Sequence, residues 1–304
     1  MMIYKYKNAP KRKGFSINQE LIRPYSTDGI QLPGLLYTPD VPTNKIVIHI
    51  HGMSGNFYED EFNDNLARVY TNNGYAFLPF NNRGMNYITE MHKGNEFVIK
   101  GSSYELFEDC VIDIEGIVNW VKERGYNHIV LEGHSYGCNK AVYYYTQKQD
   151  ESVKMIVLLA PCDIPKEVEN YTGKDYETCI RKAKELIENG KKEELIDFCV
   201  FANGKISAKT FYTDLLYNRT CDFFRYREKE KKSPILNQIE IPVFIPFGDK
   251  DECVLTQPIE DVIHYLQNNL KNCEIKVIKD ADHAYTGKYD ELEKVIDTYL
   301  KENA

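Results

Sequence analysis

The pentapeptide Gly133-His134-Ser135-Tyr136-Gly137 follows a short apolar run over residues 128–132 and opens a helical segment over residues 138–147. In a strand–turn–helix, glycines on both sides of the turn permit a tight bend that raises the serine Oγ above the sheet edge, with the helix N-terminus beneath it. A glycine-rich turn with an incidental serine is the alternative interpretation. The position between a strand and a helix favours Ser135 as a nucleophile.

Short apolar runs alternate with segments of helical period along most of the chain, which is the pattern of βα units. Eight strands are predicted, over residues 15–23, 30–38, 45–50, 75–80, 128–132, 154–159, 242–247 and 274–278. The turn-rich residues 26–29 between the first two favour an antiparallel hairpin. The predicted fold class is therefore α/β, with a doubly wound, mostly parallel, eight-stranded sheet.

The alternation breaks over residues 163–238, which hold a charged helical segment at 176–189 and nothing with the pattern of a core strand. We expect a core domain of residues 1–162 and 239–304, and a helical lid or cap inserted at 163–238. Aromatic side chains in the insertion either form a wall for a bulky acyl group or anchor the insertion on the sheet. These are Tyr171, Tyr176, Phe198, Phe201, Phe211, Tyr212, Tyr217, Phe223, Phe224 and Tyr226.

The composition excludes several classes of partner. A net charge of −8 and a pI near 5.5 argue against nucleic-acid binding, which needs clustered Lys and Arg. There is no apolar stretch of signal-peptide type and no run long enough to span a membrane, so a cytoplasmic location is expected. The eight cysteines show no metal-ligand spacing and are read as free thiols, so neither a metal nor another cofactor is expected. A small-molecule ester is the expected partner, and a homodimer stays open.

A second glycine-rich turn follows the strand at 45–50, in His51-Gly52-Met53-Ser54-Gly55. Such a turn brings a backbone N–H toward the serine, so the N–H groups of Met53 and Tyr136 are predicted to form a two-donor oxyanion hole. The alternative is that His51 and Gly52 simply end a strand. His51, Gly52 and His134 are expected to line the substrate site.

A serine hydroxyl needs a base to take its proton. His283, just past the last predicted strand, is the best placed of the seven histidines. His49 belongs to the core, His264 faces solvent, His128 begins a strand at the opposite end of the sheet, and His92 is assigned to a polar loop. Asp251, after the turn at Gly248, is favoured as the carboxylate that orients the imidazole, with Asp249 and Asp163 as alternatives.

Taken together, these motifs resemble the α/β-hydrolase superfamily, in the order Ser, Asp, His that this superfamily uses. Within it, the layout is similar to bacterial cinnamoyl or feruloyl-type esterases and to fungal siderophore-ester hydrolases. Asn81-Asn82-Arg83-Gly84 resembles the Asp-x-Arg-Gly turn of esterase-like members, with Asn81 in the acidic position, and receives no catalytic role.

The resemblance implies cleavage of carboxylic esters of small or medium, including aromatic, acyl groups through an acyl-enzyme on Ser135. The same constellation also serves amidases, peptidases, thioesterases and acyltransferases. A non-catalytic ligand receptor on the same fold is the alternative from another class.

Overall fold

The computed structural model describes residues 18–196, 205–216 and 220–303. Its strands are β1 (Asn18–Ile22), β2 (Gly34–Thr38), β3 (Lys45–Ile50), β4 (Ala76–Phe80), β5 (Thr89–Lys93), β6 (Glu96–Lys100), β7 (His128–His134), β8 (Val153–Leu159), β9 (Val243–Gly248) and β10 (Cys273–Ile278). Eight of them form one sheet in the order β1-β2-β4-β3-β7-β8-β9-β10.

The sheet is parallel except at one edge. β1 and β2 pair as an antiparallel hairpin, and β2 is also antiparallel to β4, whereas the remaining pairs are parallel. The predicted eight-stranded α/β sheet and its opening hairpin are thereby confirmed. The first three residues of the predicted strand 15–23 lie outside the described residues.

Helices cover both faces of the sheet. They are α1 (Asn63–Asn72), α2 (Cys110–Glu123), α3 (Tyr136–Lys148), α4 (Ile164–Thr172), α5 (Tyr176–Glu188), α6 (Ile259–Asn269) and α7 (Tyr289–Glu302). Their apolar stripes are packed against strands that are buried on both faces, as in β3 and β7. Because the central strands run parallel, their C-terminal ends, and the loops that follow them, lie at a single edge of the sheet.

One short ribbon was not predicted. β5 and β6 form a separate antiparallel pair, so the assignment of His92 to a loop is wrong: it lies in β5 opposite Phe97. Half or more of the Phe97 and Ile99 side chains is exposed. The ribbon therefore depends on backbone pairing more than on burial and lacks the clear apolar alternation by which strands are recognised.

Residues 163–238 leave the sheet after β8 and return before β9. Their described part holds α4, α5 and a π-helical segment, Thr210–Leu216, and adds no strand to the main sheet. The Tyr226 hydroxyl donates to the Pro161 carbonyl at 2.9 Å, and the Asn139 amide donates to the Cys221 carbonyl at 2.9 Å. These buried bonds fix the segment to the sheet domain. Phe198, Phe201 and Tyr217 lie outside the described residues.

No helix in the described ranges combines the length and the apolar character that crossing a membrane requires.

Candidate active site

Ser135 occupies a strained turn between β7 and α3, with φ 55° and ψ −126°. The flanking glycines are needed for steric reasons. A Cβ on Gly133 would lie 2.3 Å from the Gly137 carbonyl oxygen, and a Cβ on Gly137 would lie 2.0 Å from the Ile50 carbonyl oxygen. Both positions therefore exclude any side chain, and the serine is held at the C-terminal edge of the sheet.

The predicted oxyanion loop lies directly beside this turn. A Cβ on Gly52 would lie 2.9 Å from Ser135 Cβ and 3.3 Å from Ser135 Oγ, so the backbone of the loop approaches the serine as closely as glycine allows. Across the described ranges, the Met53 N–H donates no hydrogen bond. The loop thus places Gly52 at Ser135 and leaves the Met53 donor available.

His51 supports the loop from inside. Its side chain is buried, Nδ1 lies 2.8 Å from the Gly52 carbonyl oxygen, and Nε2 accepts from the Asn82 N–H at 3.2 Å. Burial, together with the charge of Lys140, lowers the pKa of His51 to about 3, so the ring is neutral. Both ring nitrogens are used within the protein, which gives His51 a role in holding the loop.

His283 and Asp251 meet at the same edge. His283 Nδ1 lies 2.9 Å from Asp251 Oδ1 and 3.1 Å from Oδ2. Asp251 Oδ1 also accepts from the N–H groups of Cys253 and Val254, each at 3.0 Å, so the carboxylate is fixed by its own turn. Burial lowers the pKa of His283, but the charge and hydrogen bond of Asp251 outweigh it and raise that pKa well above its usual value.

The other acidic candidates are engaged elsewhere. Asp249 Oδ1 accepts from the Asp280 N–H at 2.6 Å. Asp163 caps the start of α4 and pairs with Arg227. The structure therefore brings Asp251, and neither alternative, against His283.

Ser135 Oγ makes its one described contact with Cys162 Sγ, at 3.9 Å, and no hydrogen bond joins it to the His283 ring. Hydrogen bonds between a nucleophile and its base are often long in unliganded enzymes and tighten when substrate binds. The two groups lie at one sheet edge, but their catalytic contact stays a prediction.

His134 fixes the loop that carries His283. Its Nε2 lies 2.9 Å from the His283 carbonyl oxygen, and because that oxygen accepts, Nε2 carries the proton. The two imidazole rings also lie against each other, with centroids 4.9 Å apart. Burial lowers the pKa of His134 well below its usual value, so a neutral ring positions the base. The residue was expected to bind substrate, which stays a prediction.

Two cysteines that sequence reasoning set aside lie at the site. Cys162 follows β8 and touches Ser135, and Cys253 follows Asp251 and lies 3.6 Å, Sγ to oxygen, from the Tyr171 hydroxyl. Hydrogen bonding from Cys162 opposes the effect of burial and, with further bonds from His283 and Tyr171, lowers the pKa of Cys253 to about 5. Their positions just after strand ends could have identified them.

Buried polar pairs lie beneath the site. Glu132 bonds His49 Nδ1 at 2.8 Å and accepts from the Tyr70 hydroxyl, which ties β7 to β3 and α1. Lys140 pairs with Glu105 at 2.5 Å and reaches Asn82 Oδ1 at 3.3 Å. With partners supplied, these buried polar groups hold the backbone behind the Ser135 turn and the loop at residues 51–55.

A family model described as "Protein of unknown function (DUF1749)" matches residues 102–301, a region that includes Ser135, Asp251 and His283. The chain belongs to this DUF1749 family. The match begins after the loop at residues 51–55, so the oxyanion prediction for this DUF1749 protein rests on the sheet geometry alone. A search of curated proteins found no match.

Solved structures identify the fold of this DUF1749 chain. Est1E from Butyrivibrio proteoclasticus, solved with ferulic acid, is 19% identical with a TM-score of 0.66, covering 92% of this chain and 98% of its own. The Pyrococcus furiosus esterase Pf2001 is 17% identical with a TM-score of 0.61, covering 98% of both chains. The α/β hydrolase GrgF from Penicillium sp. sh18 is 16% identical with a TM-score of 0.66, covering 94% and 98%. The chain has the α/β-hydrolase fold.

Proposed function

We propose that this chain is a serine hydrolase that cleaves carboxylic esters, with Ser135 as nucleophile, His283 as general base and Asp251 as the residue that orients the imidazole. The observation that carries the proposal is the convergence at one sheet edge of a serine held at φ 55°, a glycine loop against it, and a His–Asp pair 2.9 Å apart. Strained backbone of this kind is concentrated at functional sites, where it belongs to the mechanism.

In the proposed reaction the neutral form of His283 takes the proton of Ser135 Oγ at Nε2 as the oxygen attacks the acyl carbon. The N–H groups of Met53 and Tyr136 stabilise the oxyanion, a contribution of about 3–4 kcal/mol per donor in comparable enzymes. Collapse of the intermediate breaks the ester C–O bond, and His283 protonates the departing alkoxide. Water, deprotonated by His283, then releases the acid and restores Ser135.

An aromatic or medium acyl group is the proposed substrate class. Most described aromatics of segment 163–238 are buried anchors, among them Phe211, Phe223 and Phe224. Tyr171 differs: it is 45% exposed, and its hydroxyl lies 3.6 Å from Cys253 Sγ beside the His–Asp pair. An aromatic side chain there supports a wall for an acyl group. Est1E, solved with ferulic acid, supports the same class by analogy.

The decisive experiment compares Ser135→Ala with the native chain on p-nitrophenyl acetate and p-nitrophenyl esters of aromatic acids. Loss of the nucleophile is expected to lower kcat by about a million-fold while leaving the thermal unfolding temperature unchanged. Ser152→Ala, at the opposite edge of the sheet just before β8, is the matched control and should retain full activity. Equal turnover in both variants would remove Ser135 from the mechanism.

Two further measurements separate the alternatives. The first compares kcat/KM for ester, anilide and thioester substrates that share one acyl group. The proposal requires the ester to be cleaved fastest. A fluorophosphonate probe should label Ser135, because an activated serine reacts with it. Absence of labelling together with absence of turnover would favour a ligand receptor on the same fold.

A further inference from the structure

Three potential metal ligands of different chemistry lie together at the proposed active site. They are the Asp251 carboxylate, the Cys253 thiol and the His283 imidazole, and one donor atom of each lies within 4.8 Å of those of the other two. In the described part of the chain, this is the one group of three His, Cys, Asp or Glu donors that is close enough to share an ion.

The spacing is close to that of a zinc site. Zinc bonds to oxygen, nitrogen and sulfur are about 2.0–2.3 Å long, so donors at tetrahedral angles are separated by roughly 3.5 Å. His283 Nδ1 and Asp251 Oδ1 are already 2.9 Å apart. The Cys253 sulfur lies within 4.8 Å of a donor atom of each of the other two residues, so a small side-chain rotation completes the set.

The donor types select the metal. Thiolate, imidazole and carboxylate together suit zinc, whereas magnesium and calcium require sets of oxygen ligands. One thiolate and one carboxylate also neutralise the divalent charge, which matters because Asp251 is fully buried and Cys253 is 4% exposed. The His283 side chain is 18% exposed, so the site is open to solvent from the imidazole side.

We propose that Asp251, Cys253 and His283 bind a zinc ion and that this ion inhibits the enzyme. Zinc takes the place of the proton on His283 Nδ1 and binds the Cys253 thiolate. One proton of the Cys253–His283 pair goes to solvent, and the proton that remains is on Nε2. An imidazole protonated at Nε2 has no lone pair there to accept the Ser135 proton. The inhibitory effect rests on the proposed function, while the binding of zinc does not.

Cys253 is what makes the site specific. Asp251 and His283 are the two groups that the proposed hydrolysis already requires, whereas that chemistry assigns no role to Cys253. A thiol in this position adds the third ligand of a zinc site to a His–Asp pair, and a water molecule would fill the fourth position as in other three-ligand zinc sites.

Calorimetric titration of the full chain with zinc chloride, under reducing conditions and free of chelators, tests the binding directly. The native chain should bind one equivalent, and Cys253→Ser should bind at least tenfold more weakly. Cys273→Ser, a part-buried cysteine at the start of β10, is the matched control and should bind as the native chain does. Magnesium chloride in place of zinc should give no binding heat.

A second measurement distinguishes ligand loss from damage to the fold. Cobalt(II) bound to the native chain should show a thiolate charge-transfer band, which Cys253→Ser loses while its thermal unfolding temperature stays within a few degrees. Absence of zinc binding, or equal binding by the native chain and Cys253→Ser, would overturn the proposal.

The kinetic experiment addresses inhibition. Each variant's hydrolysis of p-nitrophenyl acetate without metal serves as its own reference, and the zinc concentration that halves the rate should rise at least tenfold in Cys253→Ser. EDTA should restore the native rate. If the chain hydrolyses no ester, the proposed function fails, and the calorimetric result still decides whether the zinc site exists.

Discussion

At Ser135 the backbone fixes where the side-chain hydroxyl lies. Its φ of 55° is unfavourable for a residue with a Cβ. The turn is possible because Gly133 and Gly137 have no Cβ, so neighbouring backbone atoms can pack closely against them. Asp251 is fixed in a similar way, by two N–H groups of its own turn. Both proposed catalytic residues are therefore held by main-chain geometry that a single substitution can disturb.

Asp251 and Asp249 offer a matched pair of substitutions. Asp251→Asn should lower kcat for p-nitrophenyl acetate by about 10,000-fold with little change in KM, because the imidazole loses the partner that fixes its tautomer. Asp249→Asn should keep kcat within a few-fold, since this carboxylate bonds the Asp280 N–H instead. A comparable loss of kcat in both variants would show that Asp251 is not the carboxylate that orients His283.

Alanine substitutions at Gly137 and Gly74 distinguish two costs to stability: the steric clash of an added Cβ, and the strain of a left-handed backbone. Gly137→Ala should lower the free energy of unfolding by more than about 3 kcal/mol, because its Cβ would lie 2.0 Å from a backbone oxygen. Gly74→Ala, in open space at φ +76°, should cost only about 1–2 kcal/mol from its left-handed backbone. Urea unfolding measures both, and an equal cost would mean that the turn relaxes around a side chain.

At the scale of elements, Arg83 joins three parts of the chain. From the turn after β4, its guanidinium bonds Asp113 and Asp109, which belong to the region of α2, and Asp28 in the loop before β2. Its side chain is only 4% exposed, so these three carboxylates compensate for the hydration that the buried guanidinium loses. The turn at residues 81–84, which received no catalytic role, thus acts as a clamp.

This clamp predicts a pH dependence of stability. Burial raises the pKa of Asp28, but hydrogen bonds from Ser26 and the charge of Arg83 outweigh it and lower that pKa to about 2. A carboxyl with a lowered folded-state pKa stabilises the protein above its unfolded pKa of 3.8, and this contribution is lost as the pH falls toward 2. The stability difference between the native chain and Asp28→Asn should therefore shrink between pH 5 and pH 2.5.

Urea unfolding at several pH values in that range provides the measurement. A difference that stays constant down to pH 2.5 would mean that Asp28 titrates alike in the folded and unfolded chain.

Across the whole molecule, the site draws on segments far apart in the chain. The loop after β3, the turn after β7 and the loops after β9 and β10 meet because parallel strands end at a common edge. Segment 163–238 adds α4, whose Tyr171 reaches Cys253. We expect this segment to act on substrate selection while the sheet carries the chemistry.

Tyr171 tests that division of roles. Tyr171→Ala should lower kcat/KM for a p-nitrophenyl ester of an aromatic acid about tenfold, because it removes an apolar contact worth about 1–1.5 kcal/mol. The rate on p-nitrophenyl acetate should change little, since acetate is too small to reach the wall. Tyr25→Ala, a similarly exposed tyrosine near β2, is the control. Equal losses on both esters would argue against an acyl wall.

Sequence patterns were enough to predict the fold class, the eight strands of the main sheet and the turn at residues 133–137. Strand and helix periods and glycine positions are local properties, because each depends on residues that are close together in the sequence. The sequence also nominated His283 and Asp251, because strand ends are predictable. The β5–β6 ribbon was not predicted from the sequence, because exposed strands that pair through their backbone show little alternation of apolar and polar residues.

Which side chains face one another was seen in the folded chain. The tertiary structure set Asp251 rather than Asp249 against His283, turned His51 inward to hold a loop, and placed Cys162 and Cys253 beside Ser135 and Asp251. These contacts join residues that are remote in sequence, and their distances follow from how strands and loops pack. No local pattern encodes such distances, so the contacts of the two cysteines with Ser135 and Asp251 were seen only in the folded chain.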